Sequence, residues 1–321
     1  MKSPNPDTNR AAEKELRMQK KQSEVQINLR QLAGFTMLAA MLAMFVCVRP
    51  GLAAQPGQQP APVVAASPVP QAAAPAQQQI RPETAFALMA GEAEKGNTNA
   101  MLTLGRFYEQ GVGTAKNYSK AMEWYEKAAR AGQAEGYYNV GVCHEIGMGT
   151  ASDMSKAVQS YRKAANLGLA LAMYKLASSY ISGNGAAKDT AKGIGWMDKA
   201  ANAGMAVAAN ELGMVYLSGL LGQKKDEKKA LSMFTKAADL GNLEAIKNIA
   251  VIYKDGLGLK ADPVKAYTWY LIARRGGYAG EDLARVLGLL EGSLTPAQAQ
   301  QAQKEADTWM ENFFKRQSGA R

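Results

Sequence analysis

The sequence predicts an all-α protein whose main domain is a solenoid of stacked helix pairs, entered through an apolar segment and a proline-rich linker. Two series of residues carry the solenoid. An aromatic-type slot falls at Tyr108, His144, Tyr180, Tyr216 and Tyr253, with steps of 36, 36, 36 and 37 residues. A glycine closes each unit at Gly132, Gly168, Gly204, Gly241 and Gly277, with steps of 36, 36, 37 and 36. A period in this range marks an array of short supersecondary units, none of which can bury its apolar face alone. Comparing Gly219-Leu220-Leu221-Gly222 with Gly111-Val112-Gly113 places the one extra residue in a turn and leaves the helical registers intact. The third observation is the chain ahead of the array, which contains nothing that could pack against it.

Residues 1–30 are polar and rich in lysine and arginine, and Leu32 to Val48 then run without a charge. As a helix, seventeen residues span about 26 Å, the short end of a bilayer core. The expectation is a transmembrane signal anchor or signal peptide at 31–49, with the basic N-terminal side held in the cytoplasm and the rest across the membrane. Gly51-Leu52-Ala53 and Leu52-Ala53-Ala54 resemble signal-peptidase sites. Thirty polar residues are long for a signal peptide, although an internal start at Met18 would shorten them, so an uncleaved anchor is preferred to secretion into the periplasm. A lipoprotein at Cys47 is disfavoured, since Val46 stands where such signals place a small residue. Residues 50–82 hold eight of the twelve prolines, with no charge from Gly51 to Ile80. That composition favours extended polyproline II and cannot build a core, so it reads as a disordered spacer.

The repeats occupy residues 83–292, with a C-terminal helix in 293–321. A half unit over Thr84 to Lys95 places Ala85, Leu88, Met89 and Ala93 in the slots of Ala121, Trp124, Tyr125 and Ala129. Terminal units of stacked arrays are expected to be atypical. Five whole units follow, near 97–132, 133–168, 169–204, 205–241 and 242–277. In each, a small residue precedes a larger one by four positions, as Ala100 precedes Leu104, which puts both on the face of the Tyr108 slot. The first helix stops at Gly111, Gly147, Gly183, Gly219 or Gly256, where a left-handed residue is required. Asn117, Asp153, Asp189, Asp226 and Asp262 are suited to cap the second helix. A last pair comprises Asp282 to Leu290 and a helix opened by Thr295 and Pro296 that runs to about Lys315, with Ala299, Ala302, Ala306, Trp309 and Phe313 inward.

Ala100, Leu104-Gly105, Tyr108, Gly111-Val112-Gly113, Lys120-Ala121, Trp124-Tyr125, Lys127-Ala128-Ala129 and Gly132 together resemble the Sel-one-like repeat, a relative of the tetratricopeptide repeat with a longer unit and a glycine-rich loop. The resemblance implies a right-handed α-solenoid of tetratricopeptide-like helix pairs acting as an adaptor in protein assembly. Ser160 and Met233 depart from the pattern at the Trp124 slot, Gly193 at the Ala121 slot, and Ala177 and Ala250 at the Gly105 slot, which predicts looser packing in the second and third units. Some bacterial members bear one disulfide per unit, and this chain lacks them.

Basic residues exceed acidic ones by 38 to 28, and the excess divides evenly between residues 1–82 and 83–321. Lysines recur at Lys120, Lys156, Lys192, Lys229 and Lys265, and again at Lys127, Lys163, Lys199 and Lys236, which reads as a solvated rail. A basic patch with interleaved aromatics would be needed for nucleic acid, and none is visible. His144, beside Cys143 and Glu145, is the only histidine. Periodicity places it in the tyrosine slot and Cys143 in the Phe107 slot, and no further ligands remain for zinc. The glycine loops recur in every unit and lack a following Gly-Lys-Ser or Gly-Lys-Thr, so they read as turns rather than phosphate loops. No catalytic residue, metal site, cofactor or small-molecule substrate is expected.

The resemblance to tetratricopeptide solenoids implies that the first helix of each unit lines a concave groove. The slots two before and two after Leu104 would then face a ligand. These are Leu102, Tyr138, Tyr174, Asn210 and Lys247, followed by Arg106, Val142, Ser178, Met214 and Val251. Tyrosines, an amide, a thioether and cations suit an extended or helical peptide. The sequence thus points to a non-enzymatic scaffold of the cell envelope that binds a protein or peptide, single-pass in the inner membrane with its repeats in the periplasm. An envelope enzyme or peptidoglycan-acting protein using the repeats as a frame, and a secreted effector, are the competing readings.

Overall fold

The computed structural model describes residues 81–280 and 282–319, and among them it contains thirteen helices and no strand. Residues 31–49 and the linker at 50–80 lie outside the described residues. No helix among the described residues is long and apolar enough to cross a membrane.

A single helix, α1 (Pro82–Glu94), precedes five pairs: α2 (Thr98–Gln110) with α3 (Tyr118–Arg130), α4 (Ala134–Ile146) with α5 (Met154–Asn166), α6 (Ala170–Ser182) with α7 (Thr190–Asn202), α8 (Ala206–Ser218) with α9 (Glu227–Asp239), and α10 (Leu243–Asp255) with α11 (Pro263–Arg275). The terminal elements are α12 (Leu283–Ser293) and α13 (Pro296–Gln317). From α1 to α11 each helix packs on the next in the chain, and α13 packs back on α11. Thirteen residues is marginal for an isolated helix, so these helices depend on their neighbours.

Local chemistry sets the helix ends as the spacing predicts. The side chains of Asn117, Asp153, Asp189, Asp226 and Asp262 each accept from the backbone N–H three residues on, at 2.9–3.0 Å. Such a cap is worth about 1 kcal/mol. Gly111, Gly147, Gly183, Gly219 and Gly256 close the first helices in the left-handed conformation. Thr295 caps α13 through a full capping box with Gln298.

The second glycine of the loop has a different duty. A Cβ on Gly113 would collide with the Pro82 carbonyl oxygen, so the loop seats against the first turn of the preceding second helix. The fourth loop breaks this rule. Its extra residue puts Leu221 at φ +55, and a Cβ on Gly222 would meet nothing within 4 Å.

The core is alanine-rich and close-fitting. Tyr125, Tyr161 and Phe234 are fully buried, and each covers the bare backbone of a glycine in its partner helix: Gly105, Gly141 and Gly213. Ala177 replaces that glycine in the third unit, where the facing slot holds the slimmer Met197. Gly193 leaves no void either, because a Cβ there would come within 2.5 Å of Ile181 Cγ1. The third unit therefore closes by exchanging volume across its two helices and is not the looser one that its sequence suggests.

The ends differ from the middle. Phe86 of α1 meets the Tyr108 ring edge-on at 5.3 Å. Leu88, predicted to point inward, is 55% exposed. The equivalent Trp124 packs against the preceding unit around Ala93, and no unit precedes α1 among the described residues. At the other end Ala302 and Ala306 of α13 are fully buried, and Trp309 packs on Trp269 at 5.6 Å. Ion pairs Arg275–Asp307 and Arg316–Asp239 fix α13 along α11 and the end of α9.

Candidate functional site: the first-helix face

The first helices α2, α4, α6, α8 and α10 form a row whose neighbours are joined by side chains. The Tyr174 hydroxyl of α6 donates to Glu211 of α8 at 2.7 Å. Lys175 of α6 donates to both carboxylate oxygens of Glu145 in α4, each at 3.0 Å. Asn248 of α10 donates to Asn210 of α8 at 3.2 Å and lies 3.7 Å from the Met214 sulfur.

The ten residues expected to face a ligand separate into three groups. Arg106 and Ser178 are exposed. Tyr138, Val142, Asn210, Met214, Lys247 and Val251 are half-buried, with part of each side chain reachable from solvent. Leu102 and Tyr174 are only 6% exposed. Those two are packing residues: Leu102 lies in the cluster around Tyr125 and Val140, and Tyr174 lies in the large C-terminal core. The slot two residues before Leu104 sits on the flank of its helix, where the next first helix covers a large side chain.

Sequence reasoning missed the row one residue further on, which supplies Lys175, Glu211 and Asn248. It also missed a pairing within units. Glu109 accepts from the Tyr125 hydroxyl at 2.6 Å, and Glu145 accepts from the Tyr161 hydroxyl. The sequence did hold a signal for this. Glutamate faces tyrosine in the first two units, whereas Ile181 and Leu217 occupy the same slot where the partner is Met197 or Phe234.

Electrostatics follow from burial. Removal from water, reinforced by the adjacent carboxylates, pushes the Tyr125, Tyr161 and Tyr174 hydroxyls far above the ordinary phenol range. Tyr138 is pushed up to about 12, mainly by burial, with Glu145 adding to the effect. Burial likewise raises the Glu211 carboxyl, partly offset by the Tyr174 hydrogen bond. The four phenols therefore stay neutral at neutral pH, which suits a structural role more than proton transfer.

The one chemically suggestive cluster resolves into packing. Cys143 is a free, fully buried cysteine whose thiol is pushed up to about 12 by burial. Glu145 is committed to Tyr161 and Lys175. His144 is half-buried, and its Nδ1 has no hydrogen-bond partner. No cluster of three or more metal-ligating side chains occurs among the described residues.

The lysines of the two rows are exposed, as a solvated rail requires, except for half-buried Lys236, and most of them also lie over aromatic rings. Lys120, Lys192, Lys229 and Lys265 lie over Tyr108, Tyr180, Tyr216 and Tyr253 at 5.3–5.9 Å. Lys127 and Lys199 lie closer still, 3.6 and 4.0 Å from the centroids of Trp124 and Trp196. A depression of about 360 Å³ opens beside the α6–α7 loop. There Arg162 donates to the Tyr180 hydroxyl at 2.9 Å and Lys192 pairs with Asp189 at 3.0 Å.

Five successive matches to the Sel1 repeat model cover residues 98–133, 134–169, 170–205, 206–242 and 243–278. The chain belongs to the Sel1 repeat family. Members of this family are generally scaffolds for protein–protein interaction. Among solved structures, the chain is similar to a Sel1 repeat protein from Oxalobacter formigenes, with 28% identity over 74% of this chain and 95% of that one, at a TM-score of 0.57. It also matches c5321 of uropathogenic Escherichia coli, described as a protective antigen with an SLR fold, at 25% identity over 75% of this chain and 60% of that one, TM-score 0.42. The immunity protein Pa5087 of Pseudomonas aeruginosa matches at 22% identity over 72% and 77% of the two chains, TM-score 0.38. No curated protein matches the chain.

Proposed function

We propose that this protein is a non-enzymatic adaptor of the cell envelope that holds a protein or peptide segment along its first-helix face. The observation that carries the reading is the contrast between the two kinds of residue in that face. Tyr174, Glu211, Lys175, Glu145 and Asn248 lock adjacent first helices together, while Tyr138, Val142, Met214 and Val251 remain partly open beside them. A locked frame that presents apolar and amide groups is pre-organised for binding, which lowers the ordering cost on association. Leu102 and Tyr174 support this surface from beneath, leaving Arg106, Tyr138, Val142, Ser178, Asn210, Met214, Lys247 and Val251 as the contact set.

The location follows from the sequence. Residues 31–49 anchor the chain in the inner membrane with the N-terminus in the cytoplasm, and the linker at 50–82 extends the repeats into the periplasm. Secretion into the periplasm after cleavage is the alternative that detection of residues 1–30 on the mature protein decides. The binding reading is tested by crosslinked co-purification from cells with the double variant Tyr138→Ala, Asn210→Ala. Loss of the partner is expected with the helical fold retained and only a modest fall in Tm, from the lost Tyr138–Tyr161 packing and Asn210–Asn248 hydrogen bond, and unchanged recovery of the partner would reject this face.

A further inference from the structure

We infer that the turns joining the second, third and fourth units form an interfacial surface that docks on an anionic lipid bilayer. Leu167, Leu171 and Val207 enter the headgroup region, and Lys163 and Lys199 engage the lipid phosphates beside them. This rests on the membrane-tethered reading above.

Charge is segregated between the two helices of the repeat. The five second helices carry fourteen basic and five acidic residues, and the five first helices carry four and six. Every second helix also ends in cations, among them Arg130, Lys163, Lys199, Lys236 and Arg275. The helix dipole accounts for cations in that position. It does not account for the residues that come next in the chain.

Comparing units slot by slot isolates the anomaly. The N-cap of the first helix is Asn97 in the first unit and Asn242 in the fifth, and both side chains accept backbone hydrogen bonds. In the third and fourth units it is Leu169 and Met205, with no side-chain cap. Two residues on, Asn99, Glu135 and Glu244 give way to Leu171 and Val207 in the same two units. At this last slot polar residues have become aliphatic only in the third and fourth units, where Leu171 and Val207 are 36 and 41% exposed, and Leu167, in a slot that is Ala, Leu or Gly in the other units, is 52% exposed beside them. The two junctions are held side by side, since Tyr174 donates to Glu211 one turn into the helices that follow them. Lys236 extends the edge by donating to Asn202 at the end of the preceding second helix.

An anionic bilayer fits these features better than a protein or a nucleic acid does. Leu167 stands on a turn and Leu171 and Val207 in the first turns of α6 and α8, and neither the depression beside the α6–α7 loop nor the one on α13 includes them. Lys163 and Lys199 lie over the faces of Tyr137 and Trp196, so those rings are not free for base stacking. Within 162–171 and 198–207 the only carboxylate is Asp198, which accepts from the Asn202 amide. Basic side chains flanking protruding aliphatic ones bind anionic interfaces through both apolar burial and headgroup attraction. A membrane anchor on the same chain makes that contact intramolecular and raises its effective concentration.

The test uses the full chain carrying Cys47→Ser, since buried Cys143 stays unlabelled, with a polarity-sensitive fluorophore on Val207→Cys or, as control, Ser178→Cys. The protein is reconstituted into vesicles of equal phosphatidylglycerol and phosphatidylcholine, or of phosphatidylcholine alone, each containing brominated lipid. Docking predicts at least threefold stronger quenching at 207 than at 178 in the anionic vesicles. The difference should vanish in phosphatidylcholine alone, in Lys163→Glu, Lys199→Glu, and in Leu167→Ser, Leu171→Ser. Equal quenching at the two positions in anionic vesicles would overturn the docking surface. Failure of the chain to float with phosphatidylcholine vesicles would instead refute the anchor at 31–49, while the anionic vesicles still decide the docking.

Discussion

The ring of Tyr125 lies directly over the bare Cα of Gly105: a Cβ added to that glycine would come within 2.5 Å of Tyr125 Cε1. Gly141 with Tyr161 and Gly213 with Phe234 repeat the relationship. A buried ring cannot retreat from such a contact without disturbing the helix pair.

Gly141→Ala should therefore destabilise the domain by about 1–3 kcal/mol, the usual cost of overpacking a filled core. Ala177→Gly removes a methyl and adds backbone freedom, so it should cost about 1 kcal/mol. Chemical denaturation of both variants checks the order. Equal losses would show that the glycine slot is set by backbone conformation and not by the ring above it.

Asp153→Ala removes the cap from Lys156 N–H and one partner of Lys156 Nζ, whose 3.7 Å pairing is exposed. The expected loss is about 1 kcal/mol, nearly all from the cap. Asp153→Asn, which keeps the acceptor and drops the charge, should recover most of it. Thermal melts in low and high salt separate the two contributions.

The buried tyrosines set the alkaline limit. Their folded-state pKa values lie above the unfolded phenol value of 10.0. Stability they contribute is complete below about pH 10 and is lost as pH rises beyond it, because the unfolded chain ionises first. Denaturation midpoints should be level in this respect to about pH 9 and fall above about pH 10. Tyr161→Phe should flatten the fall, at the cost of leaving the Glu145 carboxylate with Lys175 as its remaining partner.

Glu211 acts in the opposite sense. Burial raises its folded-state pKa above 4.5, so the folded protein holds this proton more tightly and the group's contribution grows as pH falls from neutrality toward about 4.5. Glu211→Gln keeps an acceptor for Tyr174 and removes the buried charge. It should match or exceed the parent at about pH 7 and lose that advantage near about pH 4, as followed by urea titration at both values. A marked loss at neutral pH would mean that the carboxylate charge itself is needed.

Most of the architecture was legible because it is written five times. The Gly111 and Asn117 slots report local backbone needs, which any single unit states and the other four confirm. The candidate site was less legible because it lies between units. Tyr174 looks like an open aromatic on a variable slot, and only the neighbouring α8 makes it a buried donor to Glu211. Leu88 fails for the opposite reason, since a repeat predicts a neighbour that α1 does not have among the described residues. Lys120 looks solvated in the sequence because the Tyr108 ring belongs to another helix, brought close by the loop, whereas Lys127 meets Trp124 at the i,i+3 spacing of a single helix, which the sequence does show.

The loop at Leu220–Gln223 stands apart from its equivalents, which press their second glycine onto the helix before. With Leu221 left-handed and open space around Gly222, this is where the chain tolerates added length. A foreign epitope or a protease recognition sequence spliced there should be accommodated without unstacking the array, which makes it the natural port for tagging the protein in living cells.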